Sequence, residues 1–109
     1  MARLTSEFWV SAYLAHLGQF QIPAFITAKG DATAGAILVK LNTLDGNARA
    51  FQRSYDIDGQ RIWITLAQGA ESEVDATLER QRQHDPDIWI IEVEDKQGRH
   101  LLDQAFLAS

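Results

Sequence analysis

Two glycines five residues apart give the segment KGDATAG, residues 29–35, the spacing of a phosphate-binding loop. A loop of the form G-x-x-x-x-G-K-[ST] holds phosphate with its backbone N–H groups and with the N-terminus of the helix that follows. Here the second glycine is followed by Ala36 and Ile37, and the next residues alternate with a period of two, which indicates a strand. The segment is therefore predicted to connect two strands, with its glycines at positive φ and with Asp31 and Thr33 bonded to local backbone.

A binding role for this segment stays open, because loops on a rigid scaffold often carry function. In that alternative, the protein binds a small molecule or a nucleotide phosphate, or is an enzyme, and its pocket lies near residues 29–35 and Arg53. The candidate ligand-binding side chains are Lys29, Asp31, Thr33, Lys40, Arg53 and Glu92.

The segment RAFQRSY, residues 49–55, alternates arginines with aromatic residues, a pattern typical of sheet faces that stack bases and bind phosphates. The register of the neighbouring strands favours a core instead, so Phe51 and Tyr55 are interpreted as core aromatics. Arg53 then lies among apolar residues, where a guanidinium must reach the rim or find a buried carboxylate. Because Glu92 interrupts an apolar face of the last strand, we predict that Arg53 and Glu92 pair, or together line a small polar pocket.

Contact with single-stranded RNA is a further alternative, on a sheet face that would carry Lys40, Arg61 and Trp63. Duplex nucleic acid is not expected as a partner, because binding to a duplex depends on neutralising its phosphates. Ten Lys and Arg residues against 15 Asp and Glu residues give the chain a formal net charge of −5.

The segment HDPDIW, residues 84–89, brings together a histidine and carboxylates, which are metal-binding residue types. Pro86 breaks the helix between His84 and Asp87, and no HExxH or DxDxDG spacing occurs, so His84 is interpreted as a cation at a helix C-terminus. The serines and histidines show no G-x-S-x-G motif or triad spacing, and cysteine is absent. We therefore expect no metal, cofactor or catalytic residue, and the sequence favours a non-enzymatic binding or interaction protein.

The 109 residues, of which 46% are hydrophobic and 23% charged, fit one globular domain over residues 1–109. The N-terminal stretch MARLTSEFW lacks a signal-peptide layout, and no apolar run approaches the roughly 20 residues needed to cross a bilayer. The absence of cysteine fits a reducing compartment. We expect a soluble, cytoplasmic protein without membrane contact.

The first helix is predicted to begin at a cap on Thr5 or Ser6 and to stop near Gly18. Apolar residues lie on nearly all of its sides: Val10, Tyr13, Leu14 and Leu17 on one face, Phe8, Ala12 and Ala15 on another, and Trp9 beside them. A helix of this kind is buried or lies in an interface. We expect a subunit contact, with simple burial as the alternative, so the partner is a second copy of the chain or another protein. The candidate interface residues are Phe8, Trp9 and Ala12.

Strands are predicted over residues 23–28, 36–43, 49–56 and 61–66, separated by turn-forming residues. A two-residue turn at Asp58-Gly59 predicts these opposite pairs on one face: Tyr55 with Ile62, Arg53 with Ile64, and Phe51 with Leu66. At the preceding turn, a two-residue loop would place Lys40 on the face of Phe51, because a one-residue slip inverts every side chain. A three-residue loop at residues 45–47 sets Leu41 opposite Phe51 instead and requires a left-handed glycine.

A second helix is predicted over Glu71–His84, with its acids near the start, its bases near the end, and a narrow apolar stripe that marks a surface helix. The segment DIWIIEV, residues 87–93, is predicted to be a central strand, because apolar residues lie on both of its faces. A tail over residues 98–107 adds a short strand or helix. The predicted fold is α+β in the order αββββαβ, a mainly antiparallel twisted sheet of about five strands with helices on both faces.

The chain resembles a small bacterial family described only as a domain of unknown function. The resemblance rests on four stretches: RLTSEFWVSAYL, GDATAGAILVKLN, DPDIWIIEVED and GRHLLD. They are spread over nearly the whole chain, so the resemblance runs from end to end. It implies a cytoplasmic protein that stands alone, and it implies no particular activity, cofactor or functional residue.

Overall fold

The computed structural model describes residues 4–104 and 107 of the chain. Within these residues, two helices and five strands follow the order αββββαβ, which confirms the predicted order. The elements are α1 (Ser6–Gln19), β1 (Ala24–Ala28), β2 (Ile37–Asn42), β3 (Asn47–Tyr55), β4 (Arg61–Ala70), α2 (Glu71–His84) and β5 (Trp89–Glu94). The largest difference from prediction is at β4, which continues directly into α2.

The strands form one sheet in the spatial order β1-β5-β2-β3-β4. Strands β5 and β2 run parallel, whereas the pairs β1–β5, β2–β3 and β3–β4 are antiparallel. The sheet is therefore mainly antiparallel and the fold is α+β, as predicted. Because β5 has a hydrogen-bonded neighbour on each side and a helical layer over each face, apolar residues on both of its faces are buried.

One face of the sheet is covered by α1 and by the C-terminal segment. The side chain of Thr5 accepts a hydrogen bond from Phe8 N–H and so caps α1, as predicted. Four residues of α1 join the core on this side with residues of the sheet and of the C-terminal segment: Trp9, Val10, Tyr13 and Leu17 with Val39, Leu41, Phe51, Trp89, Ile91, Val93, Leu102 and Leu107. The buried face of α1 thus contains most of the apolar residues that the sequence places on it.

The other face of the sheet is covered by α2. Only Val74 and Leu78 of this helix are buried, as its narrow apolar stripe predicts. They pack against a smaller cluster from the sheet and its loops, which includes Leu38, Ala48, Ala50, Ile88 and Ile90. The sheet is therefore enclosed between two helical layers, with the larger core on the side of α1.

The turn between β2 and β3 has a three-residue loop, as predicted, although it lies one residue earlier, at residues 44–46. The glycine of this loop has a φ of +90°, the expected left-handed conformation. Phe51 pairs with Val39 and not with the predicted Leu41. A shift of two residues preserves the faces of both strands, so Lys40 lies on the face opposite to that of Phe51, as predicted.

The turn between β3 and β4 corrects the prediction. Asp56 N–H donates to Gln60 O at 2.9 Å, and the Asp56 carboxylate accepts two hydrogen bonds from backbone N–H groups of the turn. These bonds stabilise a three-residue loop at residues 57–59 in place of a two-residue turn, so the first half of β4, residues 61–65, shifts by one residue until a bulge beside Phe51 restores the register. The predicted pairs Tyr55–Ile62, Arg53–Ile64 and Phe51–Leu66 are wrong, and the observed pairs are Tyr55–Arg61, Arg53–Trp63 and Phe51–Thr65.

The segment after β5 forms turns over residues 96–104 and packs on α1 through Leu101 and Leu102. The short strand or helix that the sequence left open for residues 98–107 is not found over residues 98–104, while residues 105 and 106 lie outside the described part of the chain. In the described part of the chain, neither helix has the length and apolarity needed to cross a bilayer.

Candidate functional site

A cavity of about 910 Å³ opens at the end of the sheet where β2 begins and β3 ends. We call it the sheet-end cavity. Its walls come from the start of α1, the loop before β2, the end of β3, the start of β4 and the end of α2. The lining includes Ser6, Trp9, Gly35, Ile37, Gln52 and Arg53. Both helical layers therefore contribute side chains to the walls of the cavity.

The sheet-end cavity exists because β2 and β3 separate at this end of the sheet. Their ladder stops at the pair Val39–Phe51, although β2 stays paired with β5 as far as Ile37 and β3 stays paired with β4 as far as Tyr55. A β-bulge between β3 and β4 falls beside Phe51, and a bulge bends and twists the strands that carry it. The β3–β4 hairpin therefore turns away from β2 and leaves an opening between Ile37 and Arg53.

The start of α1 is hydrogen-bonded to the loop that precedes β2. Ser6 N–H donates to Thr33 O at 3.1 Å, and Glu7 N–H donates to Ala32 O at 2.9 Å. The Ser6 hydroxyl donates to Gly35 O at 2.6 Å. The loop carbonyls thus take the N–H groups that a helix N-terminus would otherwise offer to an anion. They also hold the first turn of α1 against the mouth of the sheet-end cavity.

The backbone N–H groups of the KGDATAG loop are used within the protein. The Asp31 carboxylate accepts from Thr33 N–H at 3.2 Å and from Ala34 N–H at 2.9 Å. Gly35 N–H donates to Asp31 O, and Asp31 N–H donates to Asp87 O. A phosphate loop needs these groups directed at its ligand. The prediction that this segment connects two strands is confirmed, because β1 precedes it and β2 follows it.

The glycines of this loop have a different role from the one predicted. Neither Gly30 nor Gly35 is among the described glycines with positive φ, so that part of the prediction is wrong. A Cβ atom on either glycine would overlap the carbonyl oxygen of Asp87. The loop must therefore have glycines at both positions because the backbone that enters β5 packs directly against it.

Arg53 lies on the face of the sheet that α1 covers. Its guanidinium carbon is 4.2 Å from the ring centroid of Trp63 and 5.8 Å from that of Trp9, within cation–π range. Its Nη2 donates to Leu107 O at 2.8 Å, and Trp63 Nε1 donates to the same oxygen at 3.1 Å. Arg53 is therefore held in place by two indole rings and by the C-terminal segment, and its charge lies in the wall of the sheet-end cavity.

Trp9 carries the one buried side-chain N or O atom that lacks a hydrogen-bond partner among the described residues. The residue is only 6% exposed, and the atom is the indole nitrogen Nε1. Leaving a buried donor unsatisfied costs about 1–3 kcal/mol, so this N–H is a polar group that the fold leaves unpaired. Trp9 lines the sheet-end cavity, which makes it the most informative residue of the site.

The predicted pairing of Arg53 with Glu92 is wrong. Glu92 lies on the face of the sheet that α2 covers, opposite to the face of Arg53, and its Oε1 is 3.2 Å from Lys40 Nζ. The two residues line different cavities, Arg53 the sheet-end cavity and Glu92 a smaller one of about 410 Å³ under α2. Arg53 has aromatic rings and a backbone carbonyl around it, and a buried carboxylate is not needed to explain its position.

Lys40 and Glu92 belong to a polar cluster between α2 and the sheet, which we call the Lys40 cluster. Lys40 Nζ is 2.7 Å from Glu71, 2.7 Å from Asp75 and 3.2 Å from Glu92. Asn42 Nδ2 also donates to Glu71, at 3.0 Å. Burial works to lower the pKa of Lys40, but the hydrogen bonds to the three carboxylates outweigh burial and hold the pKa above its ordinary value. The cluster therefore holds a charged lysine and is a structural link.

The structure separates the six candidate ligand-binding residues into three groups. Thr33 and Arg53 line the sheet-end cavity. Lys29 and Asp31 lie beside it in the same loop but outside the described lining. The remaining two, Lys40 and Glu92, lie in the Lys40 cluster on the opposite face of the sheet. The sequence therefore placed a pocket near residues 29–35 and Arg53 and assigned some of its candidate side chains to the wrong side.

The face proposed for single-stranded RNA does not exist as predicted. Trp63 packs on the side of α1, where its ring centroid is 5.6 Å from that of Trp9. Lys40 is buried on the side of α2. Arg61 and Trp63 are two residues apart in β4, so their side chains lie on the same face of the sheet. Arg61 is therefore on the face of Trp63 and not on the face of Lys40. The three side chains cannot form one surface, so the predicted face is wrong.

The candidate interface residues lie in two different places, the outer side of α1 and the core. Phe8 is 59% exposed and Ala12 is partly exposed on the outer side of α1. Trp9 is buried in the core and cannot contribute to an outer surface. Leu4, at 56% exposed, adds an apolar side chain near Phe8 in the sequence. The second apolar face of α1 is thus real, but Trp9 is not part of it.

The segment HDPDIW has structural contacts. His84 Nδ1 lies 2.8 Å from Arg80 O in the last turn of α2, in agreement with a histidine at a helix C-terminus. The carbonyl oxygen of Asp87 packs against the glycines of the KGDATAG loop. No group of three or more His, Asp or Glu residues is arranged to hold a metal ion within residues 4–104 and 107.

Sequence reasoning missed Ser6, Gln52 and the indole N–H of Trp9 as parts of the site. Ser6 was considered only as a helix cap, and its bond to Gly35 is a contact between distant parts of the chain. Gln52 follows directly after Phe51, where the ladder between β2 and β3 stops. The Asp56 side chain was the available signal for a longer turn at residues 57–59, since aspartate often bonds the backbone of turns.

Comparison with known proteins identifies relatives over nearly the whole chain. A family model described as a protein of unknown function, DUF1491, matches residues 4–103. The chain is similar to a DUF1491 family protein from Caulobacter crescentus CB15 known from a crystal structure, with 39% sequence identity and a TM-score of 0.85, covering 93% of this chain and 96% of that one. No curated protein matches the chain.

Two solution structures give the same result. An NMR structure of a DUF1491 family protein from Caulobacter crescentus CB15 has 38% identity and a TM-score of 0.80, with 94% of this chain and 96% of that chain covered. Protein Atu0922 from A. tumefaciens has 30% identity and a TM-score of 0.72, with 85% and 86% covered. The resemblance to a family of unknown function is thereby confirmed. The solved structures share the fold of this chain, and the comparisons add no activity.

Proposed function

The chain belongs to the DUF1491 family, whose function is unknown, and we propose that it is a non-enzymatic binding protein whose ligand occupies the sheet-end cavity. The single observation that carries this proposal is the sheet-end cavity itself, a space of about 910 Å³ that has Arg53 and the buried Trp9 in its wall.

The size and composition of the sheet-end cavity support a small-molecule ligand. Its volume of about 910 Å³ falls within the range of about 300–1,000 Å³ that is usual for such sites. Its walls combine apolar side chains, such as Ile37 and Ile88, with polar ones, such as Gln52 and Arg53. Ligand sites typically have this mixture, because apolar contact supplies affinity and a few polar groups orient the ligand.

The arrangement of Ser6 supports binding over catalysis. A nucleophilic serine needs a general base that accepts its proton. The Ser6 hydroxyl instead donates to Gly35 O at 2.6 Å, so its proton is engaged by a backbone carbonyl with no basic character. The hydroxyl of Ser6 therefore maintains the shape of the cavity and does not react.

A thermal-shift screen tests the proposal directly. Nucleotides, sugar phosphates, carboxylic acids and metal ions are added singly, and a ligand that binds only the folded state raises Tm. The variant Gln52→Trp places an indole in the sheet-end cavity and is expected to abolish the shift. The variant Gln68→Trp makes the same change on β4, outside the described lining, and is expected to keep it. A ligand that stabilises both variants equally would contradict the proposed site.

Self-association through α1 is a second candidate function. The observation that favours it is the exposed apolar pair Leu4 and Phe8, each more than half accessible. A second copy of the chain, or another protein, would cover these side chains. Sedimentation measurements over a range of concentrations test this proposal.

We also propose that the protein is bacterial and that it is located in the cytoplasm. The similarity to proteins from Caulobacter crescentus and A. tumefaciens supports a bacterial origin. A cytoplasmic location is supported by a sequence without cysteine, which suits a reducing compartment. Detection of the native protein in the cytosolic fraction of its host cells tests the location.

A further inference from the structure

The C-terminal segment, of which residues 99–104 and 107 are described, is held on α1 and the sheet by apolar and polar contacts. Leu102 and Leu107 are almost fully buried in the larger core. The Leu107 carbonyl accepts from Arg53 Nη2 at 2.8 Å and from Trp63 Nε1 at 3.1 Å. The segment therefore fills part of the core and bonds to Arg53 in the wall of the sheet-end cavity.

His100 lies at the start of this segment and contacts three other parts of the fold. Its ring nitrogen Nδ1 accepts a hydrogen bond from Leu102 N–H at 3.0 Å. Its backbone carbonyl accepts from the hydroxyl of Tyr13 on α1 at 2.8 Å. The imidazole packs on Phe51 of β3, with the two ring centroids 4.7 Å apart. His100 therefore connects the C-terminal segment to both α1 and the sheet.

The hydrogen bond from Leu102 to His100 requires a neutral imidazole. A neutral ring has one nitrogen that accepts, whereas both nitrogens of a protonated ring are donors. Protonation therefore replaces this bond with two N–H groups directed at each other. The backbone between them is unfavourable by itself, because Leu101 has a φ of +62°, which a residue with a Cβ atom rarely adopts. The conformation of the segment at this point thus depends on the charge of His100.

The surroundings of His100 favour the neutral ring and lower its pKa from the ordinary value of 6.5. Burial of the ring is the main cause, the carboxylate of Asp103 works against it, and the guanidinium of Arg49 on β3 lowers the pKa further. A released segment has this histidine in water, where it binds a proton more readily. A fall in pH below about 6.5 therefore favours release, and the effect is complete once the pH is below the folded value.

The other ionisable groups that face His100 or its segment do not share this response. Arg99 is paired with Asp95 at 3.0 Å, and this pairing is the main cause of a lowered pKa of Asp95, so both groups stay charged as the pH falls below 6.5. On α1, burial raises the pKa of Tyr13, which stays neutral. His16 Nε2 donates to the side-chain oxygen of Gln104, a bond that a protonated ring can also make.

We propose that His100 is a pH-sensitive latch: its neutral imidazole holds the C-terminal segment on α1 and the sheet, and its protonation favours release of the segment. Release removes Leu102 and Leu107 from the larger core and takes the Leu107 carbonyl away from Arg53. The latch therefore connects pH to the wall of the sheet-end cavity. This inference goes beyond the proposed function and does not depend on it.

Hydrogen exchange of backbone amides tests the latch, because it detects a small population in which the segment is released. Leu102 N–H and Gln104 N–H report on the segment, and Ile91 N–H in the central strand β5 reports on the whole fold. Corrected for the intrinsic effect of pH on exchange, protection of Leu102 and Gln104 is expected to fall several-fold between about pH 7 and about pH 5, by at most about tenfold per pH unit. Ile91 is expected to stay better protected than either of them throughout.

The variant His100→Asn removes the titrating ring and keeps an acceptor, because an asparagine side chain can bond the backbone N–H two residues on. Its segment amides are expected to change protection by less than about twofold over the same pH range. His16→Gln is the matched control, since it removes a histidine that contacts the same segment, and it is expected to keep the full fall. NMR titration of His100 in the unaltered protein should give a pKa below 6.5, and this measurement keeps the test valid if His100→Asn folds poorly.

Each of four results overturns the latch. The first is a pKa of His100 at or above its ordinary value, and the second is constant protection of the segment amides in the original protein. The third is an equal fall in His100→Asn, because the response to pH then comes from another group. The fourth is protection of Leu102 and Gln104 as high as that of Ile91, because the segment then opens only together with the whole fold.

Discussion

Lys40 is buried beneath α2 and yet is held in its charged form. Burial disfavours an ammonium group, but Glu71 and Asp75 from α2 and Glu92 from β5 all lie within ion-pair distance of Nζ. Its neighbours in β2, Val39 and Leu41, point into the core on the α1 side. Because side chains alternate along a strand, the side chain of Lys40 points to the α2 side. Lys40 therefore connects three elements through one charge.

Replacing Lys40 with methionine leaves these carboxylates close together without their cation. Because breaking a buried ion pair costs about 3–5 kcal/mol and two of the acids are partly exposed, we expect a loss of about 2–3 kcal/mol in the free energy of unfolding, measured with urea. Lys96→Met, at an exposed lysine, is expected to change it by about 0.5 kcal/mol or less. Equal effects of the two variants would show that the Lys40 cluster does not stabilise the fold.

The stability difference between the original protein and Lys40→Met depends on pH in a predictable way. The folded-state pKa of Lys40 is raised above its ordinary value of 10.5, so its contribution is fully present below pH 10.5 and is lost as the pH rises through the folded value. The stability difference between the original protein and Lys40→Met is therefore expected to stay constant from neutral pH to about pH 10 and to shrink only above it.

The loop between β1 and β2 holds α1 and the entry of β5 in place at once. Its carbonyls accept from the first N–H groups of α1, its residue Ala36 accepts from Trp89 N–H of β5, and its Asp31 N–H donates to Asp87 O. The two glycines allow this because the backbone before β5 lies directly against them. The sequence KGDATAG is thus required for packing between elements, and this packing shapes one wall of the sheet-end cavity.

Adding a single methyl group tests this packing. In Gly35→Ala, the new Cβ overlaps the Asp87 carbonyl, and such overpacking is expected to reduce the free energy of unfolding by about 1–3 kcal/mol. Gly18→Ala is the control, since nothing lies within 4 Å of its Cβ position in α1 and alanine favours a helix by about 0.5–1 kcal/mol. Urea unfolding should therefore give opposite signs. A stabilising Gly35→Ala would contradict the proposed role of the loop.

The whole molecule places two helical layers on one sheet and leaves the outer side of α1 with large exposed apolar side chains. Leu4 and Phe8 are both more than half exposed, and Leu4 also lines the sheet-end cavity. Stable protein interfaces bury about 1,200–2,000 Å², which is more than one helix face provides. Self-association through α1 alone should therefore be weak and concentration-dependent.

Sedimentation velocity over a range of concentrations checks this expectation. The original protein is expected to show a reversible dimer at the highest concentrations, and Phe8→Glu is expected to remain monomeric because a charge replaces the apolar contact. Ile57→Glu is the control, since Ile57 is fully exposed in the β3–β4 turn and not on α1. It should associate like the original protein. If the original protein is a monomer at all concentrations, self-association through α1 is contradicted.

Particular residues show how far the sequence could predict the fold and the site. The helix cap at Thr5, the limits of α2 and the alternation that separates Lys40 from Phe51 follow from local periodicity and capping, and all three were predicted. The pairing of Arg53 with Trp63 was missed, because the Asp56 side chain lengthens a turn by one residue and so inverts the faces of residues 61–65. The pocket near residues 29–35 and Arg53 was predicted as an alternative, without most of its walls.

The sequence by itself determined the order of the elements, the faces of β2 and β3, and the strand that follows Gly35. These properties depend on residues close together in the chain, whose spacing decides which side chains can share a face. Only the tertiary structure decided that β2 and β3 separate at one end and that Trp9 is buried there with an unpartnered N–H. Both properties arise from contacts between distant segments, and a shift of one residue in a single turn changes which side chains meet.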